Sequence, residues 1–220
     1  PEKNILDSKF LDCIVSARPD LILVGGTQPF PIQRLAEDVE KVKDLNLSIP
    51  VIGFPGSEDQ IHSSLDGILG LSILQSVDRR YLLDPILNVA TRLRKWGVKL
   101  FYTPYLLLGN TGKTSVEQKL KDFIHPIETD SEFERYVLLL SSIEPKLVYL
   151  EGGSGSFSSV PSRWVSTLRK HLSSSYIFVG GGIDTLDKIK EAWYSGANCV
   201  VLGNTIERDP TFLIRACALR

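Results

Sequence analysis

The chain has 220 residues, 43% of them hydrophobic, and a formal net charge of −1. That is enough apolar material for one large core, and α/β barrels of this size are single domains. The balanced charge argues against a nucleic-acid or membrane-surface binder, and no apolar run approaches the ~18 residues of a transmembrane helix.

The three cysteines, Cys13, Cys199 and Cys217, are odd in number and lack metal-ligand spacing. A reduced, cytoplasmic setting fits them best, and no secretory signal is visible. The chain begins at Pro1 and contains no Met, which the residues themselves do not explain.

The elements follow in order. A helix is expected ahead of Asp20, with Phe10, Leu11, Ile14 and Val15 on one face. Strands are predicted over 20–26, 50–56, 67–74, 99–108, 146–153, 175–183 and 199–204. Their apolar residues are nearly continuous, as in a parallel sheet covered on both faces. Between them, helical spacing recurs over 32–45 (Leu35, Val39, Val42), 80–96, 132–143 and 161–171. Asp184 or Thr185 would cap a further helix. Such alternation predicts βαβ units. The count is seven strands, so an eight-stranded (β/α)8 TIM barrel needs a first strand ending just before Pro1. A seven-stranded open sheet is the alternative on count alone. Glycine-rich strand ends favour the barrel, whose enzymes bind substrate at the C-terminal ends of their strands. No linker divides the chain, so residues 1–220 are read as one barrel domain.

The segment Leu147-Val148-Tyr149-Leu150-Glu151-Gly152-Gly153-Ser154-Gly155 is the most informative. It reads as a buried strand ending in a Glu and opening into a small-residue loop. Tyr149 and Glu151, two residues apart, project to the same face. There they could hold or deprotonate a substrate hydroxyl; the alternative for Glu151 is a salt bridge at the barrel rim. Gly180-Gly181-Gly182 and Gly203-Asn204 follow the last two strands, where barrels commonly bind phosphate. Bare backbone there can approach an anion, although a tight turn also explains the glycines. Thr27, after Gly25-Gly26, is a candidate contact to a metal or a diphosphate. The run at 109–115 suggests a Walker A loop, but Leu107 stands where its first Gly belongs, so the pattern fails and a substrate-covering loop is the better reading than an ATPase. His62, His125 and His171 are dispersed and form no triad or zinc pattern.

Tyr149-Leu150-Glu151-Gly152-Gly153-Ser154-Gly155 resembles the glycerol-phosphate loop of the geranylgeranylglyceryl phosphate synthase family. That family includes bacterial heptaprenylglyceryl phosphate synthase-like and phosphoglycolipid-antibiotic prenyltransferase relatives. Pro1-Glu2-Lys3, Val24-Gly25-Gly26-Thr27, Phe54-Pro55-Gly56, Val179-Gly180-Gly181-Gly182-Ile183 and Gly203-Asn204 match in order. The resemblance implies a Mg²⁺-dependent prenyltransferase joining a polyprenyl diphosphate to sn-glycerol 1-phosphate. Glu151 and Tyr149 would be catalytic. Lys3, Leu150, Gly152, Gly153, Ser154, Gly155, Gly180, Gly181, Gly182, Gly203 and Asn204 would complete the acceptor site, and Thr27 would contact the metal. A homo-oligomer is implied as well.

The family's usual Ala stands as Gly152 here, and its metal-binding Asp would precede Pro1. Leu74-Gln75-Ser76 occupies the place of an Asn-Ser pair, and 109–115 departs from the family's loop. Three alternatives stay open: 3-phosphoglycerate as acceptor, another phosphate-binding barrel enzyme, and a degenerate binding barrel. Tail length is not legible.

Overall fold

A computed structural model describes residues 6–26, 30–108, 122–153 and 158–220. The sheet strands are β1 Ile22–Val24, β2 Val51–Gly53, β3 Gly67–Ile73, β4 Lys99–Leu107, β5 Leu147–Glu151, β6 Tyr176–Gly180 and β7 Cys199–Val201. They lie side by side in chain order, and β1–β2, β2–β3, β4–β5, β5–β6 and β6–β7 pair in parallel. A doubly wound sheet reverses its order at a switch point; this one never does. The fold is therefore α/β with the strand order of a (β/α)8 barrel, and seven strands are seen among the described residues.

The helices are α1 Ser8–Ala17, α2 Ile32–Lys43, α3 Arg79–Leu82, α4 Asp84–Trp96, α5 Asp130–Ile143, α6 Ser162–His171, α7 Leu186–Tyr194, α8 Asn204–Arg208 and α9 Thr211–Cys217. Their starts follow local chemistry. Asp7 caps α1 by accepting the Phe10 N–H at 2.8 Å. The buried face of α1 is Phe10, Cys13, Ile14 and Ala17, whereas Val15, expected inside, is 41% exposed. The 80–96 segment, one helix by its periodicity, is two, α3 and α4. Pro85 sits in the first turn of α4. In a continuous helix its ring would strike the carbonyl four residues back. Helix α5 starts two residues earlier than its apolar spacing suggests, because Thr129 and Glu132 form a capping box. Thr185, not Asp184, caps α7, accepting the Lys188 N–H at 3.3 Å.

The chain divides into two compact units. The first comprises Pro1–Gly70, Leu83–Phe101 and Ile206–Arg220. Its core joins Phe10 and Ile14 of α1, Leu35 and Val39 of α2, Val51, Ile68, Val89, Leu93 and Leu213. The C-terminal Arg220 is tied to the end of α1 within it, pairing with Asp20 at 2.9 Å and donating to the carbonyls of Ala17 and Arg18.

The second unit comprises Leu71–Leu82 and Tyr102–Thr205. Helices α5 and α6 pack together, Phe133 stacking on Trp164 with ring centroids 4.9 Å apart. Arg169 closes the start of β6 and β7. It donates to the carbonyls of Leu172, Ser173, Ser175 and Gly196 and to the side-chain oxygen of Asn198, which also accepts the Ile177 N–H.

Candidate functional site

Register decides which side chains meet at the strand ends of the second unit. Tyr105 of β4 pairs with Tyr149 of β5, and Leu107 with Glu151. Tyr149 pairs in turn with Phe178 of β6, and Glu151 with Gly180. Side chains alternate along a strand, so Tyr105, Tyr149 and Phe178 form one row on one face. Leu107, Glu151 and Gly180 form the next row, nearer the strand ends. The Tyr105 and Tyr149 rings stack, their centroids 5.2 Å apart and their planes 17° from parallel. Leu150 faces the other way and is fully buried.

Glu151 is 5% exposed. Its Oε1 accepts the Gly153 N–H at 2.7 Å, and the hydroxyls of Tyr105 and Tyr149 donate to the same carboxylate. Burial disfavours the charged form, and these three donors offset it only in part. The carboxyl is pushed up to about 7 from 4.5. Burial, and then the charge of Glu151, raise both phenols well above 10. They therefore remain neutral donors. A carboxyl that titrates near neutrality can take a proton from an alcohol and return it to solvent.

The glycines of the β6 turn are required by what surrounds them. A Cβ on Gly180 would overlap the Tyr149 hydroxyl. Gly181 and Gly182 have φ of +82° and +66°, values that L side chains rarely adopt. A Cβ on Gly181 would overlap Glu151 Oε1, and one on Gly182 would overlap the Ser158 carbonyl. The Gly152 N–H donates to the Gly180 carbonyl at 2.8 Å. Lys188 Nζ fixes the turn from beneath, donating to the Gly182 carbonyl at 2.9 Å and to Asp184 at 2.7 Å. The Thr205 hydroxyl donates to the Ile183 carbonyl at 2.8 Å, joining the β7 loop to the β6 loop. Gly203 is exposed, and the space beside it is open.

Most of the site residues named from sequence that fall on described positions come together here: Tyr149, Glu151, Gly152, Gly153, Gly180, Gly181 and Gly182, with Gly203 on the adjoining loop and Asn204 at the start of α8. Tyr149 has its hydroxyl on Glu151, so the two act as one unit. Lys3, Thr27, Ser154, Gly155 and the 109–115 loop lie outside the described residues. Among the described residues, no group of three or more His, Cys, Asp or Glu could hold a metal ion.

Two residues escaped the sequence reading. Tyr105 sits in an apolar run whose alternation is visible, but its pairing with Tyr149 is not. Gln75, in the Leu74-Gln75-Ser76 departure, is buried. Its amide donates to the Leu107 carbonyl at 2.6 Å and accepts the Leu107 N–H at 3.3 Å, locking the end of β4.

This geometry has relatives. A geranylgeranylglyceryl phosphate synthase of Ignicoccus hospitalis is 34% identical over 95% of this chain and 86% of its own length. Another, of Zunongwangia profunda, is 32% identical over 94% and 88%. The crystal structure of the Thermoplasma acidophilum (S)-3-O-geranylgeranylglyceryl phosphate synthase, in complex with its substrate sn-glycerol-1-phosphate, matches with TM-score 0.84. It is 27% identical over 95% of this chain and 84% of that one. The orotidine 5'-phosphate decarboxylase of Pyrococcus horikoshii shares the fold alone, with TM-score 0.56 and 15% identity, over 95% of this chain and 89% of its own. The PcrB family model matches residues 1–219. The chain thus belongs to the PcrB family, that of the geranylgeranylglyceryl phosphate synthases, and is an enzyme of the prenyltransferase type that forms an ether-linked glycerophospholipid precursor.

Proposed function

We propose that the acceptor is sn-glycerol 1-phosphate, the donor a polyprenyl diphosphate, and Glu151 the base. The observation that carries this reading is the buried Glu151 carboxyl, titrating at about 7 beside the backbone of Gly153 and Gly181. The acceptor hydroxyl gives its proton to Glu151 as its oxygen attacks the allylic carbon. The carbon–oxygen bond to the diphosphate breaks, and the diphosphate leaves with the bonding electrons. An ether and a protonated Glu151 remain.

The acceptor phosphate would lie against Ser154, Gly155, Gly180, Gly181, Gly182, Gly203 and Asn204, where backbone N–H groups can bind an anion. Tyr149 holds Glu151 for the reaction. Lys3 and Thr27 belong to this reading through the family resemblance. So does Mg²⁺, which would neutralise the leaving diphosphate when bound; no residue described here is assigned to it. A cytoplasmic location and homo-oligomerisation complete the reading. No helix among the described residues is long and apolar enough to cross a membrane.

The test incubates the full chain with Mg²⁺, labelled sn-glycerol 1-phosphate and prenyl diphosphates of graded length. An organic-extractable labelled product is expected, and its absence with every donor overturns the reading. Faster product formation with 3-phosphoglycerate overturns the acceptor assignment. Glu151→Gln is expected to lose turnover by a factor of about 10² to 10⁴; near-wild-type turnover removes Glu151 from the mechanism.

A further inference from the structure

We propose that Tyr105 is a positioning residue that holds the Glu151 carboxyl for proton transfer. The inference rests on Glu151 being the base in the reading above.

Few atoms can touch this carboxyl. Oε1 takes the Gly153 N–H at 2.7 Å and lies against Gly181. Two phenols add hydrogen bonds from neighbouring strands. The parallel register sets Tyr105 directly beside Tyr149, each two residues ahead of Leu107 or Glu151 in its own strand. Tyr105 is 3% exposed and stacked on Tyr149 at 5.2 Å. It has no room to swing away, so its hydroxyl is a fixed donor rather than a mobile one. Adjacent strands supply two phenols where one would satisfy an oxygen. The second removes the remaining rotational freedom of the carboxyl and favours its charged form over its neutral one.

The titratable groups facing this cluster are few among the described residues. Strand β4 brings Tyr105 and β5 brings Tyr149. Strand β7 brings Cys199, which bears electrostatically on Tyr149. Strand β6 contributes Phe178 and Gly180, which do not titrate. Removing the Tyr105 hydroxyl therefore leaves no replacement donor from β6. The carboxyl becomes harder to ionise.

The substitution Tyr105→Phe keeps the ring and its stack and deletes only the hydroxyl. In the full chain its circular dichroism and melting should match the wild type. The acid limb of the kcat/KM profile should move up by about one pH unit, with turnover near pH 7 falling about five-fold and recovering at higher pH. The donor KM should not change. A purely structural role for Tyr105 would depress activity equally at every pH, and an unmoved acid limb overturns the proposal. An infrared titration reads the same carboxyl without turnover, using as its band the one missing in Glu151→Gln. A midpoint higher in Tyr105→Phe than in wild type supports the positioning role, even if the wild type transfers no prenyl group and the functional reading falls. An unchanged midpoint overturns the positioning role, even in an enzyme that makes product.

Discussion

Glu151 and Gly181 occupy complementary space: the carboxylate oxygen lies where a side chain on Gly181 would begin. The close contact adds a packing reason for a glycine run that the sequence reading explains by anion binding or by a tight turn. The β6 turn must be bare because a buried acid presses against it.

Gly181→Ala is accordingly expected to destabilise the protein by about 2–3 kcal/mol, combining a left-handed backbone with steric overlap. Gly203→Ala, with open space around it, should stay within about 0.5 kcal/mol of wild type. Urea unfolding of both variants checks the contrast. Equal stabilities would refute the packing account.

Gly152→Ala tests the finer case. A Cβ there would lie 3.0 Å from the Val160 nitrogen, 3.2 Å from the Gly181 carbonyl and 3.3 Å from the Ser158 carbonyl. These neighbours are backbone atoms and must yield by a few tenths of an ångström. The variant should fold, at a cost of about 1 kcal/mol, since Gly152 is not among the glycines of positive φ. A melting curve showing no cooperative transition would contradict this.

Glu151 gives stability a pH dependence. Its folded pKa of about 7 lies above the unfolded value of 4.5. Below 4.5 both states hold the proton and the group is neutral in its effect. Between 4.5 and about 7 the unfolded chain releases its proton while the folded one keeps it, so stability falls as pH rises. Above that window the loss levels off at roughly 3 kcal/mol. Glu151→Gln should flatten this decline and be more stable than wild type above neutrality. Parallel pH–stability curves for the two proteins would be the disproof.

Arg169→Met should destabilise by about 2 kcal/mol. It strips donors from four carbonyls and from Asn198. Arg169 is half-buried, so water can replace part of what is lost. The strand starts it serves are remote from Glu151 along the strands, so the KM for the acceptor should hold while the denaturation midpoint drops. A changed KM with unchanged stability would reverse that assignment.

Local patterns in the chain sufficed for much of this. Strand–helix alternation, near-continuous apolar runs and glycines at strand ends reveal parallel βαβ units. Period-two alternation alone puts Tyr149 and Glu151 on one face. Apolar periodicity did not find the break before Pro85 or the Thr129 cap, although proline geometry and capping chemistry act within a few residues; hydrophobic spacing carries neither signal.

What only the tertiary structure decided is the environment of Glu151. Register between β4 and β5 brings Tyr105 to Tyr149, and pairing between strands distant in sequence leaves no local mark. Burial lifts the carboxyl toward neutrality, and burial is a property of the assembled fold. The Gly180–Gly182 turn illustrates the difference. The sequence by itself determined that bare backbone stands at this strand end; the packed chain decided that it is bare against Glu151, Tyr149 and Ser158, since excluded volume exists only once the strands are side by side.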